Sequence, residues 1–126
     1  MPPKNLINII TFNVRATAGI DGGIIPWINI ARANEEILNL IDADEIVIPE
    51  SEITISIDNL FQNPVSFQLF SSIGFSRKSL LIEIREKFLE LAKLENVPFN
   101  STLDLVALDV YKTNSGEIEI TLDIDA

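Results

Sequence analysis

Alternation of apolar and polar residues is the dominant pattern of this chain, and it predicts β-strands. The alternation is strictest where Ile53, Ile55 and Ile57 stand between polar residues, and again along 117–124. Such a segment puts its apolar side chains on one face of a sheet and its polar side chains on the other. Less regular runs of β-branched and aromatic residues extend the prediction. The predicted strands are 5–18, 24–30, 45–48, 52–58, 65–71 and two arms of a C-terminal hairpin around a turn at 113–116.

Four of these segments also suggest where their strands lie in a sheet. Segment 5–18 is apolar with few interruptions, which favours a central strand covered on both faces. Segments 45–48 and 52–58 flank Pro49, Glu50 and Ser51, so a turn between two paired strands is predicted. Segment 24–30 contains Pro26, which has no amide hydrogen to donate and therefore suits an edge strand or an ordered loop.

Apolar residues at spacings of three and four predict one long helix over 77–95. Ser76 fits its N-cap, and Phe75 and Leu80 occupy the two positions of a hydrophobic staple. A shorter helix is predicted at 34–41, where Asn34 fits the N-cap and two glutamates follow it. The stripe of the long helix consists of Leu81, Ile84, Phe88 and Leu91.

This order of elements predicts an α+β fold in a single domain over residues 1–126. The stripe of the long helix must be buried, and the apolar face of a sheet is the available surface. We therefore expect a mainly antiparallel sheet of five or six strands with one long and one short helix packed on one face. A ferredoxin-like β-α-β-β-α-β core with an added C-terminal strand fits this order, as do other two-layer α+β folds.

The 126 residues include no cysteine and no histidine. These absences exclude disulfides, thiolate nucleophiles and Ser–His catalysis within the chain, and they remove the commonest metal ligand. We therefore assign no catalytic, cofactor-binding or metal-ligating residue and expect a function other than catalysis. Chemistry that uses carboxylates alone, in an enzyme or a small-ligand binder, stays open as an alternative.

The formal net charge of −10 restricts the partners of the chain. Direct binding to nucleic acid needs a basic face, and anionic membranes also attract basic segments, so neither partner is expected. No apolar run approaches the roughly 20 residues that span a bilayer, and the N-terminus lacks the pattern of a signal peptide. The expected location is cytoplasmic.

Four segments have residue types that occur in binding sites, and each also has a structural explanation. The glycine-rich Gly19–Gly23 segment resembles an anion-binding loop, but a hairpin turn explains it better. The acidic cluster within Asp42–Glu52 offers oxygen ligands, but its spacing matches no EF-hand loop. Ser76–Ser79 form a small basic patch at a helix start, which a cap already explains. The fourth set is the row of carboxylates on the last strand, Glu117, Glu119, Asp123 and Asp125, which suits solubility and protection of a sheet edge.

The remaining candidates are the interface residues Ile24, Ile25 and Trp27, which surround Pro26 on the predicted edge segment. An exposed edge that carries isoleucine and tryptophan favours contact with a partner or with a second copy, whereas burial of Trp27 in the core is the alternative. We therefore predict a non-enzymatic protein–protein interaction or self-association module, with a protein partner or a homo-oligomer. An acidic decoy that blocks a basic partner is the second hypothesis.

Overall fold

The computed structural model describes residues 4–15, 23–30, 37–57, 65–94 and 104–125. These residues form ten β-strands, one 3-10 helix (Ile37–Asn39) and one α-helix, α1 (Arg77–Leu94). The strands are β1 (Lys4–Thr11), β2 (Val14–Arg15), β3 (Ile24–Ile25), β4 (Ile28–Asn29), β5 (Ile46–Ile48), β6 (Glu52–Ile57), β7 (Val65–Phe70), β8 (Phe75–Ser76), β9 (Asp104–Thr113) and β10 (Ile118–Asp125).

Six of the strands form the main sheet. Its order is β1–β9–β10–β6–β7, and β4 pairs with β9 next to the end of β1. All of these pairs are antiparallel except β10 with β6, which is parallel. Two short pairs, β2–β3 and β5–β8, lie outside this sheet. The predicted α+β class is confirmed, and the sheet is mainly antiparallel.

The β9–β10 hairpin follows the sequence prediction most closely. Its turn is closed by two backbone hydrogen bonds of 2.9 Å, from the Thr113 amide to the Glu117 carbonyl and from the Gly116 amide to the Thr113 carbonyl. Gly116 has a φ of 88°, a conformation that costs a residue with a Cβ about 1–2 kcal/mol. Glycine at this position therefore lets the two arms pair in a fixed register.

Helix α1 lies against the apolar face of the sheet. The predicted stripe of Leu81, Ile84, Phe88 and Leu91 is buried and belongs to one core cluster with Ile55 of β6 and Ile120 of β10, among others. The Lys87 ammonium lies 5.4 Å from the centre of the Phe67 ring on β7. The helix therefore reaches across the layer to the far strand of the sheet.

The start of α1 is fixed by a reciprocal cap. The Ser79 amide donates a hydrogen bond of 3.1 Å to Ser76 Oγ, and the Ser76 amide donates one of 2.9 Å to Ser79 Oγ. Two amides that would otherwise lack partners at the helix terminus are thereby satisfied. Phe75 and Leu80, the predicted staple residues, are both buried. The predicted long helix is confirmed over the described residues.

The prediction of a short helix over 34–41 is wrong for the part of that segment that the structure describes. Residues 34–36 lie outside the described residues, and Ile37–Asn39 form a single 3-10 turn. Leu40 then makes an isolated bridge to Val14, and the Ile41 amide donates a hydrogen bond of 2.9 Å to the Asn13 carbonyl. These contacts tie the segment to the start of β2 instead of extending a helix. The described residues therefore lack the first helix of a ferredoxin-like core.

Two predicted strand positions are also wrong. Strands β5 and β6 do not pair with each other, because β6 has β10 on one side and β7 on the other, while β5 pairs with β8. The first strand, β1, is not central but lies at the end of the main sheet. Its apolar run is covered on one face only, because α1 lies on the side of Ile10 and no described helix covers the side of Ile9.

Candidate interaction surface

Strand β1 leaves one side of the sheet without a partner strand among the residues that the structure describes. It pairs with β9 from Lys4 opposite Thr113 to Thr11 opposite Ala107. Strand β4 continues the same side of β9, with Ile28 opposite Leu105. The outer edge of the sheet therefore runs along β1 and passes to β4. An unpaired edge of this kind presents backbone donors and acceptors to any extended segment that approaches.

Apolar side chains line this edge. Leu6, Ile7 and Ile9 of β1 are each about half exposed. Trp27, which directly precedes β4, is 43% exposed, whereas Ile24 is 62% exposed in the β2–β3 pair outside the main sheet. We call Leu6, Ile7, Ile9 and Trp27 the apolar edge. Exposed apolar residues next to one another are uncommon on monomeric proteins and mark interaction sites more often than isolated ones do.

The register explains why β1 exposes these side chains. The pairing with β9 shifts between Leu6 and Asn8, so that Ile7 has no residue opposite it. Beyond this bulge, Ile10 faces the helix and is buried, while Ile9 faces the opposite side of the sheet. Strand residues alternate between faces, so a continuous apolar run covered on one face must expose every second residue.

The charge distribution separates this edge from the rest of the chain. Residues 1–34, which include the whole apolar edge, contain three basic residues and one acidic residue, Asp21. Residues 35–126 contain six basic and eighteen acidic residues. Strand β1 has no aspartate or glutamate. The apolar edge therefore lies in the one long segment that does not share the acidity of the chain.

The structure exposes two of the three predicted interface residues, and one of these two, Trp27, lies on the apolar edge. Ile24 and Trp27 are exposed, as an interface requires, whereas Ile25 is partly buried and packs against the core. Sequence reasoning missed Leu6, Ile7 and Ile9, because their apolar run was interpreted as the sign of a buried central strand. The absence of acidic residues over 1–20 was the signal that set this strand apart.

The basic patch at the start of α1 is already occupied by contacts within the chain. Arg77 Nε donates a hydrogen bond of 2.9 Å to the Thr11 carbonyl, and an Arg77 amino group forms an ion pair with Glu45. The Lys78 amide donates one of 2.9 Å to the Ala43 carbonyl. These contacts and the serine cap join the end of β1, the turn after the 3-10 helix and α1, which supports a structural role for this patch.

The acidic cluster within Asp42–Glu52 is divided between two places. Asp42, Asp44 and Glu45 surround a shallow groove beside Lys78, whereas Glu50 and Glu52 line another groove together with Glu117. Within the described part of the chain, no three acidic side chains are arranged to hold a metal ion. The glycine-rich segment cannot be placed in the same way, since residues 19–22 lie outside the described residues.

The carboxylates of the last strand do not protect a sheet edge, because β10 lies between β9 and β6. Glu119 and Asp123 share one side of the sheet with residues of the neighbouring strands, opposite the side that α1 covers. We call this side the polar face. It includes Thr54, Ser56, Asp109, Glu119, Thr121 and Asp123.

Two carboxyl groups interact on the polar face. Burial raises the pKa of the Asp109 carboxyl above its ordinary value, and the nearby Asp123 carboxylate raises it further through repulsion and a shared hydrogen bond. Asp109 lies opposite Thr121 of β10 on one side and opposite Ile9 of β1 on the other. Asp109 is therefore one strand away from β1, and Asp123 is two strands away.

Comparisons with known proteins do not assign the chain to a family: no family model, no curated protein and no solved structure matches it. Among the described residues, no helix has the length and apolar character needed to cross a bilayer.

Proposed function

We propose that this chain is a non-enzymatic module that associates with copies of itself through the apolar edge. The observation that carries the proposal is an eight-residue strand, β1, which has no described strand on its outer side and no acidic residue along its length. Protein edges of this length are ordinarily blocked by charges, proline or a covering segment. Within β1 such features are limited to Lys4 at its start, a bulge at Ile7 and the Asn8 side chain, whose Oδ1 accepts a hydrogen bond of 2.9 Å from the Ile9 amide.

The charge of the chain supports this edge as the place where copies meet. At a net charge of −10, two copies repel each other, most strongly where one acidic surface approaches another. The apolar edge belongs to a segment with three basic residues and one acidic residue. An approach along this edge therefore meets less repulsion than an approach along the polar face or the acidic grooves.

Sedimentation equilibrium of two matched lysine variants tests the proposal. In Ile9→Lys a charge lies on the apolar edge, and in Ile82→Lys a charge lies on the exposed side of α1, where Ile82 is similarly exposed. We expect wild-type protein and Ile82→Lys to associate with the same dissociation constant in the micromolar range. Ile9→Lys should weaken association at least tenfold, because like charges then meet across the pair.

Two results would contradict this function. One is wild-type protein that stays monomeric up to high micromolar concentration. The other is equal weakening by both lysine variants, which would show that added charge acts without regard to its position. The urea midpoint of each variant, measured at low concentration, shows whether its monomer still folds.

The polar face supports a second candidate function, the binding of a basic protein by an acidic decoy. The strands β6, β9 and β10 present Asp109, Glu119 and Asp123 on this face, together with Glu52, whereas Lys112, the one basic residue of these strands, lies opposite Ile118 on the other face. A surface of one charge attracts a partner of the opposite charge in a salt-dependent way. A lysine-rich peptide serves as the probe, and titration at low and high salt measures its binding.

A matched pair of variants makes that measurement specific to the polar face. Glu119→Gln with Asp123→Asn removes two charges there, and Glu83→Gln with Glu86→Gln removes two from the exposed side of α1. The decoy function requires that only the first pair weakens binding of the peptide. An equal loss of peptide binding in the two double variants would show that the net charge alone attracts the peptide.

A further inference from the structure

The geometry points to a specific arrangement of the associated copies: β1 of one copy pairs in an antiparallel direction with β1 of the other, about a two-fold axis at Ile9. This inference rests on the proposed self-association and adds its register and symmetry. It makes the main sheets of two copies one continuous sheet of twice the width. Three features of the apolar edge, the strand register, the bulge and the position of Trp27, lead to this arrangement.

The first feature is the alternation of faces along β1. Two identical strands that pair in an antiparallel direction are related by a two-fold axis normal to the sheet. Such an axis keeps each residue on its own face, so Ile9 must lie opposite a residue of the same face in the partner. Both α1 helices then lie on one side of the joined sheet, and both polar faces lie on the other.

The second feature is the limited length of regular strand. Ile7 has no residue opposite it on β9, and the pairing of β1 with β9 ends at Thr11. The regular stretch is therefore Asn8–Thr11, in which Ile9 is the exposed apolar residue. An axis at Ile9 pairs this residue with its copy and pairs Asn8 with Ile10, within that regular stretch.

The third feature is the position of Trp27 along the edge. Thr11 lies opposite Ala107 and Ile28 lies opposite Leu105, so Trp27 comes next in line after the end of β1. With the axis at Ile9, the Trp27 end of one copy lies level with Leu6 of the other. Both side chains are exposed in the single chain, and the arrangement covers each with the other. The edge is complementary to itself.

The other end of the main sheet offers the competing arrangement. Strand β7 is also an outer strand, with six residues, and Phe70 is exposed at its end. Pairing of β1 with β7 of a second copy leaves one free edge at each end of the assembly, so copies add without limit. Pairing of β1 with β1 uses the same edge twice and closes at two copies.

Cysteine cross-linking tests the axis directly, because the chain contains no cysteine of its own. Opposed residues of antiparallel strands have Cα atoms about 4.5–5.5 Å apart, which suits a disulfide. We expect Ile9→Cys to form a disulfide dimer under mild oxidation at least tenfold faster than Asn5→Cys. In the proposed register the two copies of residue 5 stand about 25 Å apart. Ile82→Cys, on α1, is the control for random collision.

Fluorescence of Trp27, the only tryptophan, gives a second measurement that needs no cysteine. Association should shift its emission to shorter wavelength as the concentration rises, because Leu6 of the other copy covers it. Leu6→Lys should abolish the shift, and Ile82→Lys should preserve it. A shift that Leu6→Lys leaves intact would overturn the register.

The outcomes separate this inference from the function on which it rests. A monomer at every concentration overturns both. Masses that grow beyond the dimer, or faster cross-linking of Ile9→Cys to Ser66→Cys of β7 than to itself, overturn the two-fold arrangement and leave self-association standing. A dimer that is cross-linked through Ile9→Cys and shows the Trp27 shift supports the arrangement.

Discussion

Strands β1 and β10 show two opposite relations between sequence pattern and position in the sheet. Strand β10 alternates strictly, carries a carboxylate at most of its polar positions and lies in the interior of the main sheet. Strand β1 is apolar with no acidic residue and lies at the outer edge. Charges ordinarily protect outer strands, yet in this chain the carboxylates lie on the inner strand β10.

The difference shows that face and edge are separate properties of a strand. The carboxylates of β10 keep one face of the sheet polar, and they do nothing for the edge because β9 and β6 occupy both sides of the strand. Strand β1 has no partner strand on its outer side among the described residues, and three of its four apolar residues lie outside the core. It therefore has the composition of a strand with two neighbours, and the proposed copy supplies the second one.

The largest expected effect comes from the difference in core packing between β10 and β1. Ile120 of β10 is fully buried, whereas Ile9 of β1 is 52% exposed. We expect Ile120→Ala to lower the free energy of unfolding by about 2–5 kcal/mol, because it leaves a cavity beneath α1. Ile9→Ala should change it by less than about 0.5 kcal/mol. Urea unfolding at low concentration, where copies are separate, measures both values.

This first prediction tests whether β1 depends on a second copy. If Ile9→Ala cost as much as Ile120→Ala in dilute protein, the Ile9 side chain would be packed within one chain. The apolar edge would then lose its central residue. If instead the cost of Ile9→Ala appears only as the concentration rises, the stabilisation comes from association.

The sequence predicted which side of each strand and helix is buried better than it predicted which strands pair with each other. Alternation identified the buried positions of β6 and the hairpin, and the spacing of Leu81, Ile84 and Phe88 identified the helix side that packs on the sheet. These are local properties, since each depends on residues a few positions apart. The helix bounds and the turn at 113–116 were predicted for the same reason.

Strand order could not be predicted, because it depends on distant residues. Strand β5 pairs with β8, some thirty positions along the chain, and β10 lies parallel to β6 across the intervening helix. The predicted interface residues Ile24 and Trp27 are exposed, but Ile25 of the same short segment packs inward. A pattern of residue types does not distinguish an edge from a centre when both are apolar.

The hairpin turn gives a smaller contrast between the two regions. Gly116, between β9 and β10, has a φ of 88° and free space around it. A side chain there would cause no steric clash, and its only cost would be backbone strain. Gly23, just before β3 near the apolar edge, also has free space and no positive φ. We expect Gly116→Ala to lower the free energy of unfolding by about 1 kcal/mol. Gly23→Ala should leave it within about 0.5 kcal/mol of the wild-type value.

The smallest expected effect concerns Asp109, which lies between the two strands under comparison. Its carboxyl pKa is raised by burial and by Asp123, so the folded chain holds this proton to a higher pH than the unfolded chain does. Between the ordinary carboxyl pKa and the raised value, the free energy of unfolding therefore falls as pH rises. Asp109→Asn replaces the carboxyl with a group that does not titrate, so it should remove this fall in the free energy of unfolding.

At neutral pH the Asp109→Asn variant should be more stable than wild type by a few tenths of a kcal/mol, because the site is partly open to solvent. The advantage should shrink as the pH falls through the raised pKa of Asp109 and should be lost below about 4, where the carboxyl is protonated in both states. Asp123→Asn should give a similar gain, and the double variant less than the sum, since both relieve one repulsion. Urea midpoints across this pH range measure the effect, with Glu83→Gln on α1 as the matched removal of one charge. An equal gain in Glu83→Gln would mean that the net charge of −10, and not the pairing of two carboxyls on the polar face, sets the pH dependence.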